Sequence, residues 1–197
     1  RKWNAKDRVS IAGSLTIGLT YRMNMLGINL GTLESIPPHP GRTVPFSMLE
    51  EWIAQDDYEP YDHLGLILDA AKLGVTSAIS SLSETFDTAI AAPITEESSN
   101  GALAGRALEL LHSYRKAPPL DELERLALSA TYNFASSIVK VIAKGGGQLE
   151  AEALMRLYEN VSSAMLRSTI LDILEPLAGR LGLRITSSGK KLMATVS

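Results

Sequence analysis

Residues 9–25 alternate between apolar side chains and polar or small ones, and this pattern constrains the fold more than any other feature. Every odd position is apolar except Gly13, and no even position holds a large apolar side chain. Side chains of a β-strand alternate between its two faces, so the pattern predicts an amphipathic strand. The stretch would span roughly 55 Å as one strand, whereas ordinary strands have about 3 to 10 residues.

Two structures preserve this alternation: one long strand bent at its glycines, or a hairpin with a three-residue loop at Gly13 or Gly18. A strand longer than its own domain leaves an edge that must be covered. Exchange between subunits covers such an edge, and packing on helices of the same chain is the alternative. The first reading predicts self-association through the apolar residues of the arm, which are Val9, Ile11, Leu15, Ile17, Leu19, Tyr21 and Met23.

Prolines divide the chain into regions of different character. Residues 35–45 contain four of the nine prolines, which predicts an extended connector. We predict a β-arm or small sheet at 1–34, a helical body at 46–182 and a C-terminal hairpin at 183–197. The fold class expected from these regions is α+β and mainly α-helical, with a multi-helix body between the N-terminal arm and the hairpin.

Apolar residues at helical spacing place the helices of the body. We predict helices at 47–55, 61–81, 83–92, 102–114, 120–144, 150–160 and 163–174. Pro176 is expected to begin a short last turn that ends at Gly182, because a proline interrupts the helical hydrogen-bond pattern.

The composition excludes several classes of function. The chain has no Cys, which excludes disulfides, thiolate metal sites and cysteine nucleophiles. No segment has the roughly 18 uninterrupted apolar residues of a membrane helix, so we expect no membrane span. The three histidines, at 39, 63 and 112, fall in different predicted elements. Without a catalytic motif or ligand spacing, the sequence predicts no metal, no cofactor and no catalytic residue.

Basic residues occur in two groups that are candidate nucleic-acid contacts. One group opens the chain, and the other surrounds the predicted C-terminal hairpin. Residues 148–196 have the order helix, turn, helix, hairpin, which resembles a winged helix. The net charge of -3 and pI of about 5.7 argue against a basic field over the whole molecule. The candidate contacts are Arg1, Lys2, Lys6 and Arg8, and then Arg180, Arg184, Lys190 and Lys191.

Three hypotheses of function follow. The leading one is a non-catalytic, self-associating structural protein, such as a viral or phage coat, matrix or nucleocapsid subunit, present as a homo-oligomer. The second is a winged-helix-like regulator that binds nucleic acid through residues 148–196, and the third is an enzyme whose active-site residues are dispersed. The sequence leaves the compartment open, and the virion or the cytoplasm would follow from the assembly hypothesis. The chain begins with Arg1 rather than Met, so we expect a processed or trimmed chain.

Overall fold

This computed structural model describes residues 46–55, 58–91, 100–188 and 191–196, together with the single positions 4, 6, 8, 11 and 13. Within these residues, the structure contains nine helices whose first and last residues are both described, and one two-stranded antiparallel sheet. The mainly helical class and the C-terminal hairpin are therefore confirmed. The chain divides into two compact units, Arg1–Ala89 and Ile90–Ser197, so the helical body predicted at 46–182 contributes residues to both.

Four helices begin in the first unit. They are α1 (Phe46–Ile53), α2 (Pro60–Lys72), α3 (Thr76–Ser80) and α4 (Leu82–Ala91). Helices α1, α2 and α3 contact one another. Burial of apolar area stabilises such packing by about 25 cal/mol per Å². The largest fully buried side chains of this unit are Leu49, Leu66, Leu68, Leu82 and Phe86.

A glycine ends α2 and divides the helix predicted at 61–81 into two. Gly74 has φ +90°, a left-handed conformation that strains any residue with a Cβ. The amide of Gly74 donates to Ala71 O at 3.0 Å, and that of Val75 donates to Ala70 O at 3.1 Å. This pair of hydrogen bonds is the Schellman motif, which satisfies carbonyls at a helix C-terminus. The prediction of one continuous helix is therefore wrong at this point.

Four of the five described positions near the N-terminus are helical. Lys6, Arg8, Ile11 and Gly13 have helical backbone, and the Arg8 amide donates to Asn4 O at 3.1 Å. Ile11 and Gly13 are two positions of the strand predicted from residue 9 onward, and these two have helical rather than extended backbone. The connector at 35–45 lies outside the described residues, and so do the other arm residues, which are Val9, Leu15, Ile17, Leu19, Tyr21 and Met23. For them the arm stays a prediction.

The second unit contains five helices followed by the hairpin. The helices are α5 (Asn100–Ser113), α6 (Leu120–Ser129), α7 (Tyr132–Gly145), α8 (Gln148–Asn160) and α9 (Ala164–Arg180). Helix α7 is central, because it contacts each of the other four. The buried side chains of α7 are Phe134, Ala135, Ile138, Val139, Val141 and Ile142.

Two boundaries in this unit differ from those predicted. The helix expected at 120–144 breaks into α6 and α7, because Ala130 and Thr131 are extended, with ψ 156° and 159°. Ser and Thr side chains bond to nearby backbone in competition with the helix, and Ser129 Oγ bonds to Leu126 O at 3.3 Å. Conversely, α9 continues through Pro176 to Arg180. The apolar residues after Pro176, Leu177 and Ala178, are buried, and their packing outweighs the hydrogen bond that proline removes.

The hairpin consists of β1 (Leu183–Ser188) and β2 (Lys191–Val196), which pair from Leu183 opposite Val196 to Ser188 opposite Lys191. Strand β1 contacts α9, and β2 contacts α8. Leu192 is buried, and its amide donates to Glu159 Oε1 of α8 at 3.3 Å. One face of the hairpin is therefore attached to the helices, and the opposite face is exposed.

Candidate nucleic-acid interface

Helices α8 and α9 are joined by a short, well-bonded turn. The Ser163 hydroxyl accepts the Leu166 amide at 3.2 Å and caps the start of α9, as an N-cap serine does. Arg167 Nη1 donates to Val161 O at 2.7 Å and to Ser162 O at 3.1 Å. We call residues 132–196, which comprise α7, α8, α9 and the hairpin, the C-terminal module. Its element order is three helices followed by an antiparallel hairpin.

Charge is unevenly distributed along the chain. Residues 1–89 contain seven Lys and Arg against eleven Asp and Glu, whereas the C-terminal module contains eight against five. The first segment thus has a formal charge of -4 and the module one of +3. The positive charge of the chain is therefore concentrated in its C-terminal third.

Three of the five carboxylates in the module bond to neighbouring groups. Glu150 Oε2 accepts the Gly147 amide at 3.0 Å, at the start of α8. Glu152 Oε1 accepts from Gln148 Nε2 at 3.0 Å, and Glu159 holds Leu192 of the hairpin. The acidic groups of α8 are therefore partly committed to local structure.

Two cations of the module have structural partners as well. Arg156 forms a two-pronged pair with Glu124 of α6, with Nε to Oε2 at 3.0 Å and Nη2 to Oε1 at 2.6 Å. The hydrogen-bonded Glu124 carboxylate raises the pKa of the Arg156 guanidinium above its ordinary value. Arg167 is bound to the carbonyls of the turn. Neither arginine is therefore available for a phosphate without loss of these bonds.

Five other cations are exposed and have no ion pair or side-chain hydrogen bond within the described part of the chain. They are Lys140, Lys144, Arg180, Arg184 and Lys191, and we call them the cation set. Arg184 and Lys191 lie on the exposed face of the hairpin, as the strand register requires. The sequence analysis named Arg180, Arg184 and Lys191 as candidate contacts but did not include Lys140 or Lys144 among them. The missed signal was the spacing of these two lysines, because residues four apart share a helix face.

The C-terminal ends of α7 and α9 meet at a concavity of about 570 Å³. The residues that line it are Ala143, Lys144, Gly146, Arg180 and Leu181. A cation near a helix C-terminus is favoured by the helix dipole, by about 0.3–1 kcal/mol. The dipole is therefore a structural reason for the cations at Lys144 and Arg180. The fold nevertheless places Lys144 and Arg180 on one surface, although 35 residues separate them in the sequence.

The exposed residues of α9 do not suit recognition of base edges. Met165 is 62% exposed, and Ser168, Asp172 and Glu175 are exposed as well. Base contacts in the major groove are made mainly by Arg, Lys, Asn and Gln. Two carboxylates on the helix that would occupy the groove would instead repel the phosphates on either side.

The N-terminal candidates have different outcomes. Lys6 is exposed. Arg8 is only 3% exposed, donates through Nη1 to Gln55 Oε1 and lies 4.8 Å from the centre of the Tyr58 ring. Arg8 is therefore buried against α1 and the segment after it, where a phosphate cannot reach it. Arg1, Lys2 and the hairpin residue Lys190 lie outside the described residues.

The first unit has a half-open cavity of about 480 Å³, within the size range of small-ligand sites. His63 and Glu84 line it together with Tyr58, whose ring contacts the His63 ring edge-on at 5.4 Å. The His63 imidazole and the Glu84 carboxylate share no hydrogen bond in the described structure. The cavity therefore lacks a bonded acid–base pair of the kind that catalysis commonly uses.

The described residues contain no group of three His, Asp or Glu side chains that could hold a metal ion. No helix within the described ranges has the length and apolar character needed to cross a bilayer. Comparisons with protein-family models, curated proteins and solved structures give no match.

Proposed function

We propose that the C-terminal module binds double-stranded DNA through the phosphate backbone, without selecting a base sequence. The observation that carries this proposal is the cation set, which is exposed and has no carboxylate partner among the described residues. Phosphate contacts supply most of the affinity of sequence-independent binding. The helix, turn, helix, hairpin order supports a duplex as the ligand, since related arrangements dock on duplex DNA.

The acidic exposed residues of α9 support binding that does not depend on sequence. If Asp172 and Glu175 faced the major groove, they would lie between two rows of phosphates. Contacts from the hairpin and from the helix ends avoid this repulsion. We therefore expect the same affinity for duplexes of unrelated sequence and equal composition.

Binding of a fluorescent duplex of about 20 base pairs tests the proposal when it is measured by anisotropy at several salt concentrations. We expect the logarithm of the association constant to fall linearly with the logarithm of salt, with a slope of about -3 to -5 for three to five phosphate contacts. The double variant Arg184→Gln/Lys191→Gln should bind about tenfold more weakly at low salt. Its salt dependence should be shallower, with a slope less negative by about 2.

Lys116→Gln/Arg125→Gln is the matched control, because both side chains are exposed outside the C-terminal module and the change in charge is identical. This control should bind within about twofold of the wild type. Equal losses in both double variants, or binding that salt does not weaken, would contradict the proposal. Tighter binding to a single strand or to RNA of the same length would show that the ligand is not duplex DNA.

Self-association is a second candidate, and the hairpin edges support it. In the described part of the chain, β1 and β2 pair only with each other, and an unpaired strand edge accepts a further strand. Under this proposal, a second copy extends the sheet, and assembly of the coat, matrix or nucleocapsid type is one outcome. The mass of the protein in solution decides this candidate.

A further inference from the structure

We infer that the concavity between the C-terminal ends of α7 and α9 holds one phosphate of the bound duplex. This inference rests on the proposed function and adds the docking face to it. Lys144 and Arg180 line the concavity, and its other lining residues are Ala143, Gly146 and Leu181. The site is therefore two cationic side chains on a surface of small and apolar residues.

The lining of the concavity contains two cations and no carboxylate, which favours an anion in spite of the helix dipoles. Each helix C-terminus carries about half a negative charge, whereas each cation carries a full positive one. Two cations at two helix ends leave about one positive charge. Glu150 of α8 accepts the Gly147 amide and lies against Gly145, so its negative charge is near the concavity, but its side chain does not line it.

The glycine that precedes Arg180 in the chain does not line the concavity, and its surroundings give no structural explanation for it. Gly179 lies inside α9 and is exposed, and a Cβ added there would meet no atom within 4 Å. Glycine destabilises a helix interior relative to alanine. The chain therefore has a residue of low helix propensity at a position where alanine would fit. Glycine is also the residue that lets a ligand approach the backbone closely. Gly179 directly precedes Arg180, which lines the concavity.

The inference fixes which part of the C-terminal module faces the duplex. The ends of α7 and α9 and the exposed face of the hairpin contact the backbone. The N-terminal half of α9, which contains the exposed Met165, does not lie in the major groove. This docking differs from that of a helix-turn-helix protein, whose second helix enters the groove.

Two lysines on one helix provide a sharp test. Lys144 lines the concavity, whereas Lys140 lies one turn earlier on α7, is also exposed and does not line it. At low salt, Lys144→Gln should weaken duplex binding about threefold to tenfold, and Lys140→Gln less than twofold. Gly179→Ala should weaken duplex binding as well, although it raises the melting temperature. Equal losses for the two lysine variants would overturn the inference and leave the proposed function intact.

Titration of the full ¹⁵N-labelled chain with inorganic phosphate tests the site without DNA. We expect saturable shifts of the Gly146 and Gly179 amide signals that Lys144→Gln abolishes and Lys140→Gln retains. If the wild type fails to bind the duplex, the proposed function is wrong. The phosphate titration then tests by itself whether the concavity binds phosphate. The absence of shifts at both glycine amides overturns the inference in either case.

Discussion

At the scale of single residues, Tyr114 links stability to alkaline pH. Burial raises the pKa of its phenol above the ordinary value of 10.0. As the pH rises past about 10, the unfolded chain loses this proton before the folded protein does, so the free energy of unfolding falls. Tyr114→Phe should reduce this fall above about pH 10 and leave the pH dependence between about pH 7 and 9 unchanged.

Urea unfolding of both proteins at several pH values measures the effect. The neutral range serves as the internal control, because the phenol is protonated there in both states. An identical decline of the two proteins above about pH 10 would show that burial of this phenol does not contribute to alkaline unfolding.

At the scale of an element, the last turn of α9 and the turn after it each contain a glycine, and the two should respond oppositely to the same substitution. A Cβ at Gly179 or at Gly182 would meet no atom within 4 Å, but Gly182 has φ +69° and Gly179 is helical. Gly179→Ala should stabilise the protein by about 0.5–1 kcal/mol, because alanine has the higher helix propensity. Gly182→Ala should destabilise it by about 1–2 kcal/mol, because of strain in the left-handed region.

Thermal and urea unfolding of the two variants give the comparison directly. Each substitution is the control for the other, since the added methyl group is the same and neither makes a new contact. Changes of the same sign would mean that backbone conformation does not decide stability at this helix end. A loss of stability in Gly179→Ala would show that the structure itself requires glycine at this position. Phosphate binding would then not be needed to explain Gly179.

At the scale of the whole molecule, the open edges of the hairpin predict an effect on assembly. Met193 is 55% exposed and Val196 is 88% exposed, and charged residues on an edge strand oppose the addition of a further strand. If copies associate through the hairpin, Met193→Lys/Val196→Lys should shift the mass measured by light scattering toward that of a single 21.2 kDa chain.

Leu149→Lys provides the control for this measurement. Leu149 is an exposed apolar residue of α8 and is not part of the hairpin, so this variant should keep the wild-type mass. A wild type that is monomeric at every concentration would exclude self-association, and an unchanged mass of the double variant would exclude the hairpin as the contact. Neither result bears on binding of the duplex.

The sequence predicted the elements of the C-terminal module well because the signals there are local. Apolar periodicity located α8 and the start of α9, and β-forming residues on both sides of a short turn located β1 and β2. The errors arose where a local signal was misjudged. Gly74 ends α2, Ser129 to Thr131 separate α6 from α7, and Pro176 fails to end α9 because buried residues follow it.

The sequence by itself therefore determined the helical class, most helix positions, the hairpin and three members of the cation set. Only the tertiary structure decided which charges remain available, because that depends on contacts between residues distant in the chain. Packing brings Lys144 to the surface that holds Arg180, commits Arg156 to Glu124 of another helix and buries Arg8 against Tyr58. Sequence spacing cannot predict these outcomes, because it does not specify which helix ends meet or which side chains packing removes from water.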